Sequence, residues 1–121
     1  MDVERVELLA GEGRGPIWGA ATGDLNATLL AWPAGHEVAE HVNGERDVAY
    51  VVVDGAAELT VDGQVHALEA PALVIVPLGA SRALRAGLAG VRYVTLHRVR
   101  GGLQIAKPQD GRKAPSSTPD R

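Results

Sequence analysis

Short apolar runs separated by glycine, proline and aspartate make up most of this chain. The runs are rich in valine and leucine, and no useful length of sequence shows the i, i+3, i+4, i+7 spacing of an amphipathic helix. They predict strands at residues 3–9, 25–32, 37–41, 48–53, 58–61, 64–68, 73–76 and 91–99. The best helix candidate, residues 80–88, is interrupted by Gly87 and follows Gly79. The pattern therefore predicts an all-β chain with minimal helix.

Two Asp-Gly dipeptides are candidate hairpin turns, because glycine accepts the positive φ of a tight turn. They are Asp54-Gly55 and Asp62-Gly63, and the second gives the clearest hairpin.

Composition limits the chemistry. A chain of 121 residues forms one domain with a single core, which must be aliphatic because phenylalanine is absent. The absence of cysteine excludes disulfides, a thiolate nucleophile and cysteine-ligated metals, so a metal would need histidine, carboxylate or amide ligands.

The charge pattern gives no support to nucleic-acid binding. The net charge is −3, and the basic residues form no stripe interleaved with aromatic residues. No stretch approaches the roughly 20 apolar residues of a membrane span, so we expect a soluble, cytoplasmic protein that binds neither nucleic acid nor membrane. From Gly101 the composition becomes polar and rich in proline. We expect one domain over residues 1–106, with Leu103 and Ile105 able to dock, and a disordered tail at 107–121.

The segment from Gly35 to Gly55 resembles the first motif of the cupin superfamily. That motif runs G, five residues, H-x-H, three or four residues, E, six residues, G. Here Gly35 is followed after five residues by His41-Val42-Asn43, then after three more by Asp47, and Gly55 comes one residue late.

The second cupin motif runs G, five residues, P-x-G, two residues, H, three residues, N. It aligns with Pro71, Pro77-Leu78-Gly79, Arg82 and Ala86, and only the P-x-G part is intact. The resemblance covers roughly residues 25–99. It implies a small RmlC-like cupin, an antiparallel jelly-roll β-barrel, paired as a homodimer through its N-terminal strands.

The resemblance also implies a degenerate metal site. The four ligand positions of the family fall on His41, Asn43, Asp47 and Arg82, and only the first keeps a strong ligand. Neutral Asn is a poor ligand, and a guanidinium repels a dication. Two readings of Arg82 stay open: it pairs with Asp47, or it binds a carboxylate or phosphate of a ligand with His41 nearby as donor or base. Asn43 either orients a ligand or serves the turn before Gly44.

A rescued metal site is the alternative. If His97 on the last strand faces His41, the two histidines and one carboxylate, Asp47 or Glu45, would form a set able to hold Fe, Mn, Ni or Zn. The cofactor is otherwise unknown. Asn26, Thr28 and Trp32 share a parity that would line the same space, whereas Tyr50 is expected on the outer face.

Three functions therefore compete. The first is a cupin barrel that binds a small, anionic metabolite without the standard metal site, through His41, Asn43, Asp47 and Arg82. The second is a metal-dependent enzyme of dioxygenase, decarboxylase or isomerase type. The third is a catalytically inert scaffold, expected if Asp47 and Arg82 pair tightly.

Overall fold

The computed structural model describes residues 3–99, and every regular element in that range is a β-strand. In chain order these are β1 (Gly15–Ala21), β2 (Leu25–Trp32), β3 (Glu37–Val42), β4 (Val48–Val61), β5 (Gln64–Glu69), β6 (Ala72–Val76) and β7 (Ser81–Arg98). All of their pairings are antiparallel, so the prediction of an all-β, antiparallel fold is confirmed. Over the same range there is no helix that could cross a membrane. The predicted tail lies outside the described residues.

The two long strands, β4 and β7, each contribute to both layers of the fold. The first half of β4 pairs with β6 and with the last part of β7, whereas its second half pairs with β5 and the first part of β7. One layer therefore runs β6-β4-β7-β2-β1 and the other β3-β7-β4-β5. This arrangement is a jelly roll, and the side chains between the layers form the core.

Glycines allow β4 and β7 to bend between the layers. Gly55 has φ +75° and lies among register shifts in the pairing of the two strands, and Gly90 opposite has φ +80°. A Cβ at Gly55 would overlap the carbonyl oxygen of Gly90. The predicted hairpin at Asp54-Gly55 is therefore wrong: the positive φ that suits a turn here forms a bulge within a continuous strand.

The hairpin predicted at Asp62-Gly63 is confirmed. Both residues have positive φ, +49° and +82°, as a type I′ turn requires, and Val61 pairs with Gln64 on either side.

The N-terminal region departs from the sequence prediction. Residues 3–9 form no strand and pair with no neighbouring strand. At the end of this segment the guanidinium of Arg92 binds the carbonyl oxygens of Leu8, Ala10 and Gly11. The first strand is β1 instead, where pairing with β2 overrides the low strand propensity of its Gly, Pro and Ala residues. Homodimerisation through N-terminal strands stays a prediction.

The core is aliphatic, as expected, with two tyrosines inside it. Its buried members include Val48, Tyr50, Val52, Leu59 and Val76. The outward placement expected for Tyr50 is wrong, since this side chain is only 7% exposed. Residues 48–53 are mostly apolar at both parities, so alternation alone does not reveal which face lies inside.

Candidate functional site

A cavity of about 420 Å³ lies between the two layers. This volume is within the range of small-molecule sites. Its walls are mainly apolar and aromatic, with a few polar side chains, and the lining residues are Thr28, Leu30, Trp32, Val38, His41, Val42, Asn43, Arg46, Val48, Tyr50, Leu59, Arg82, Ala83, Leu84, Tyr93, Thr95 and His97.

Four of the six predicted site residues line this cavity: His41, Asn43, Arg82 and His97. The two carboxylates do not, since neither Asp47 nor Glu45 is among the lining residues. The expectation that His97 and His41 face one space therefore agrees with the geometry, whereas the carboxylate expected beside them is absent from the described wall.

A β-bulge in β3 aims His41 at the cavity. The register of β3 against β7 shifts between Val38, which faces Leu84, and His41, which faces Arg82. Two residues of β3 thus oppose one residue of β7, which reverses the alternation. Because of this bulge, Val38 and His41 both line the cavity although their positions differ in parity.

The imidazole of His41 is held by two hydrogen bonds. Its Nδ1 lies 3.0 Å from the carbonyl oxygen of Ala39, so Nδ1 must carry the proton and donate. Its Nε2 then accepts a hydrogen bond of 3.3 Å from Nε of Arg82. These two bonds match the tautomer with its proton on Nδ1, in which the lone pair of Nε2 is taken up by Arg82.

Arg82 is a buried cation with incomplete hydrogen bonding. It is 6% exposed, and its bond to His41 is the only side-chain hydrogen bond it makes with the described residues. Its Nη1 is buried and has no partner among them. The guanidinium carbon lies 5.8 Å from the ring centroid of Tyr50, a favourable but weak cation–π contact.

Asp47 points away from this cation and stabilises a turn. It is exposed, and its Oδ1 accepts a hydrogen bond of 2.9 Å from the backbone N–H of Leu78. The carbonyl oxygen of Asn43 accepts another of 2.7 Å from the N–H of Gly79. These two hydrogen bonds hold the P-x-G turn of the second motif against the first motif. The Asp47–Arg82 ion pair, one of the two alternatives for Arg82, is not formed.

Asn43 combines turn and wall positions. Its Oδ1 accepts hydrogen bonds from the backbone N–H groups of Glu45 and Arg46, at 3.0 and 3.3 Å, which is an Asx turn. Asn43 is buried and lines the cavity, but its Oδ1 is already occupied by these two backbone N–H groups.

Arg46 is a lining residue that the sequence interpretation missed. It is 9% exposed, and its Nη2 lies 3.3 Å from Oε1 of Glu45. The only sign of this ion pair in the sequence is that Glu45 and Arg46 are adjacent and oppositely charged. Adjacent residues of an extended strand point to opposite sides, so the two side chains could not meet there. They meet because Asn43 holds these residues in a turn. The cavity therefore holds one paired and one unpaired arginine.

Two tyrosines and a tryptophan supply the aromatic wall. Nε1 of Trp32 donates a hydrogen bond of 3.0 Å to the hydroxyl of Tyr93, whose ring lies 5.7 Å from that of Tyr50. Burial raises the pKa of Tyr93 to about 12 against the opposing effect of the Trp32 hydrogen bond. Burial likewise raises the pKa of Tyr50, opposed by the charge of Arg82. Both phenols therefore stay neutral at physiological pH.

A second set of polar side chains lines the cavity on the layer that contains β2. Thr28 on β2 pairs with Thr95 on β7, and His97 follows Thr95 on the same face two residues later. The expectation for Thr28 and Trp32 agrees with this geometry, whereas Asn26, which pairs with His97, is not in the wall.

The residues present do not fit a metal ion. His41 has both nitrogens engaged, and the partner of its Nε2 is a guanidinium, whose charge would repel a dication. Within residues 3–99 no group of three or more histidine, aspartate or glutamate side chains is arranged to hold a metal. Asp47 is turned to the backbone of Leu78 and Glu45 to Arg46, so neither joins His41 and His97.

Similarity to known proteins is found among solved structures. No family model matches the chain, and no curated protein matches it. Solved structures do match: KdgF from Halomonas sp. is 22% identical with a TM-score of 0.63, over 69% of this chain and 77% of that one. The cupin domain of Cnp3 from Schizosaccharomyces pombe is 20% identical with a TM-score of 0.64, over 69% of this chain and 63% of that one.

A third similar structure is an RmlC-like cupin from Shewanella frigidimarina, 20% identical with a TM-score of 0.60, over 68% of this chain and 73% of that one. These matches confirm the cupin jelly roll that the glycine and P-x-G spacing predicts. At such identities they establish the fold and leave the function to the residues of this chain.

Proposed function

We propose that this chain is a small cupin-domain protein that binds a small anionic metabolite in the cavity, without the metal site typical of the motif. The observation that carries the proposal is Nη1 of Arg82, which is buried in an otherwise largely apolar wall and has no hydrogen-bond partner among residues 3–99. A binding site of this kind combines an apolar cavity with a few polar groups that orient the ligand.

The energetics favour an anion at this position. A buried polar group without a hydrogen-bond partner costs about 1–3 kcal/mol, and a charged one more. A ligand anion removes that cost and adds a charge-assisted hydrogen bond, worth about 1.5–3 kcal/mol. Arg82 is already oriented by His41 and Tyr50, so little side-chain entropy is lost on binding.

The two alternative functions lack a comparable observation. The inert scaffold was expected to follow from an Asp47–Arg82 pair, and Asp47 is bonded to Leu78 instead. The metal-dependent enzyme needs an open ligand on His41, and Arg82 occupies its Nε2. We therefore expect the purified chain to carry well below one Fe, Mn, Ni or Zn per molecule. One metal per chain, lost on His41→Ala, would instead support the enzyme.

A thermal-shift panel tests the proposal. Small carboxylates and phosphates are added at millimolar concentration to the native chain and to Arg82→Met. We expect at least one anion to stabilise the native chain and to lose that effect in the variant. Asp47→Asn is the matched control, because its side chain lies outside the cavity and should leave the shift unchanged. No shift with any member of the panel would favour the inert scaffold.

A further inference from the structure

The charged side chains in the cavity wall indicate which ligand charge the site favours. Two side chains in the described wall carry a full charge at neutral pH, Arg46 and Arg82, and no aspartate or glutamate lines it. Arg46 is neutralised by Glu45, whose carboxylate lies 3.3 Å from it and is itself only 19% exposed. His41 accepts a hydrogen bond from Arg82 at Nε2 and makes another through Nδ1 to Ala39, and neither it nor His97 carries a permanent charge. The permanent charge facing the cavity without a counter-ion is therefore one positive charge, on Arg82.

A ligand with one negative charge balances this site, whereas a dianion held inside the cavity would leave one negative charge without a counter-charge. An uncompensated buried charge is strongly unfavourable because it loses its hydration. A dianionic phosphate would need the second guanidinium, and Arg46 becomes available only if its bond to Glu45 breaks. The arrangement thus discriminates by charge as well as by shape.

The rest of the wall determines the body of the ligand. Most of the wall consists of apolar and aromatic side chains, among them Leu30, Leu59 and the ring of Tyr50. The ring of Tyr93 continues this surface. Against this part of the wall an apolar or aromatic ligand body is favoured, since a hydroxyl buried there without a partner is costly. Thr28, Thr95 and His97 offer hydrogen-bond partners only on the β2 side of the cavity.

We infer that the cavity selects monocarboxylates with an apolar or aromatic body, the carboxylate bound by Arg82, and that the Glu45–Arg46 pair excludes doubly charged phosphate esters. This inference rests on the proposed function and specifies the ligand of the same site. Glu45 and Arg46 act here as specificity-determining residues, because they set the net charge that the ligand must balance.

Isothermal titration calorimetry at pH 8 with three probes of similar shape tests the inference. The probes are phenylacetate, its neutral amide phenylacetamide, and phenyl phosphate, which is close to a dianion because its second pKa is about 6. We expect phenylacetate to bind at least about tenfold more tightly than either of the others. In Arg82→Met the difference between phenylacetate and the amide should vanish; if that variant does not fold, the comparison on the native chain decides alone.

The failures of the two proposals are distinguishable. Phenyl phosphate binding as tightly as phenylacetate, or more tightly, would overturn the selection of monoanions while leaving an anion site. Phenylacetamide binding as tightly as both anions, or no binding by any probe at millimolar concentration, would overturn the anion site itself.

A specificity switch provides the second readout. Glu45→Gln removes the charge that neutralises Arg46 and keeps a side chain of the same size, so the cavity gains a second uncompensated positive charge. We expect the affinity ratio of phenyl phosphate to phenylacetate to rise at least about tenfold. Glu40→Gln is the matched control, because Glu40 is exposed and does not line the cavity. An unchanged ratio in Glu45→Gln would refute the role of the pair.

Discussion

Replacing Arg82 by methionine keeps an unbranched stem in the cavity wall and removes the guanidinium. The variant loses one hydrogen bond to His41, worth about 1.5–3 kcal/mol for a charged donor, and a cation–π contact worth about 0.5–2 kcal/mol. The substitution also removes a desolvation cost of several kcal/mol, together with the buried Nη1 that has no partner in the described part of the chain. We therefore expect the variant to be as stable as the native chain or more stable, by up to about 2 kcal/mol.

The matched control is the second arginine of the same cavity. Arg46→Met breaks the pair with Glu45 and leaves a mostly buried carboxylate without this cation, so we expect a loss of about 1–3 kcal/mol. Urea unfolding followed by circular dichroism gives both values, with the slope m used to check that the transition stays two-state. For a chain of this length each kcal/mol corresponds to a shift of a few degrees in Tm.

The stability changes of Arg82→Met and Arg46→Met together show whether Arg82 stabilises the fold. If Arg82→Met loses more than about 1 kcal/mol, or is the less stable of the two variants, the guanidinium of Arg82 stabilises the fold and is not reserved for a ligand.

Three further predictions follow from the fold and the site. Gly55→Ala should lower the free energy of unfolding, measured in urea, by at least about 1–3 kcal/mol, because the new Cβ would meet the Gly90 carbonyl at a position of positive φ. Gly44→Ala is the control: Gly44 has open space around it, so the free energy of unfolding should change by less than about 0.5 kcal/mol. Equal effects of the two substitutions would contradict the bulge at Gly55. The raised pKa of Tyr93, about 12 in the folded chain against an ordinary 10.0, contributes stability that is full below pH 10 and is lost as the pH rises toward 12. Unfolding measured from pH 9 to 12 should show this decline in the native chain and a smaller one in Tyr93→Phe, and identical curves would refute it. Asp47→Ala should lose about 1–2 kcal/mol through the Leu78 hydrogen bond without changing phenylacetate affinity, and a tenfold change in affinity would place Asp47 in the site after all.

The fold was predictable because its determinants are local. The Asp62-Gly63 turn, the P-x-G turn and the spacing from Gly35 to His41 are short-range constraints that survive at low sequence identity. The hairpin at Asp54-Gly55 was predicted wrongly because the same short sequence is compatible with two local structures. Positive φ at Gly55 suits a turn or a bulge, and nothing in the neighbouring residues distinguishes them.

The site was predictable only in part, because it depends on contacts distant in sequence. Alignment with the motifs brought His41, Asn43 and Arg82 to one wall, and strand parity added Thr28 and Trp32. Parity failed for Tyr50, whose run is mostly apolar on both faces.

Arg46 and Asp47 show the same limit. Whether Asp47 meets Arg82 or the backbone of Leu78 is decided by the docking of one turn on another, which the sequence does not encode locally. The pair of Arg46 with Glu45 likewise depends on the turn held by Asn43.

Nuclear magnetic resonance can observe the Arg82 guanidinium directly while an anion is added. The Nε–Hε resonance of Arg82 in a ¹⁵N-labelled chain is assigned by its loss in Arg82→Met, and phenylacetate is titrated at pH 8. We expect a saturable shift of this resonance with the same dissociation constant as calorimetry, and no such shift with phenylacetamide. Binding heat from phenylacetate without any change at the Arg82 resonance would contradict the claim that this buried cation is the anion anchor.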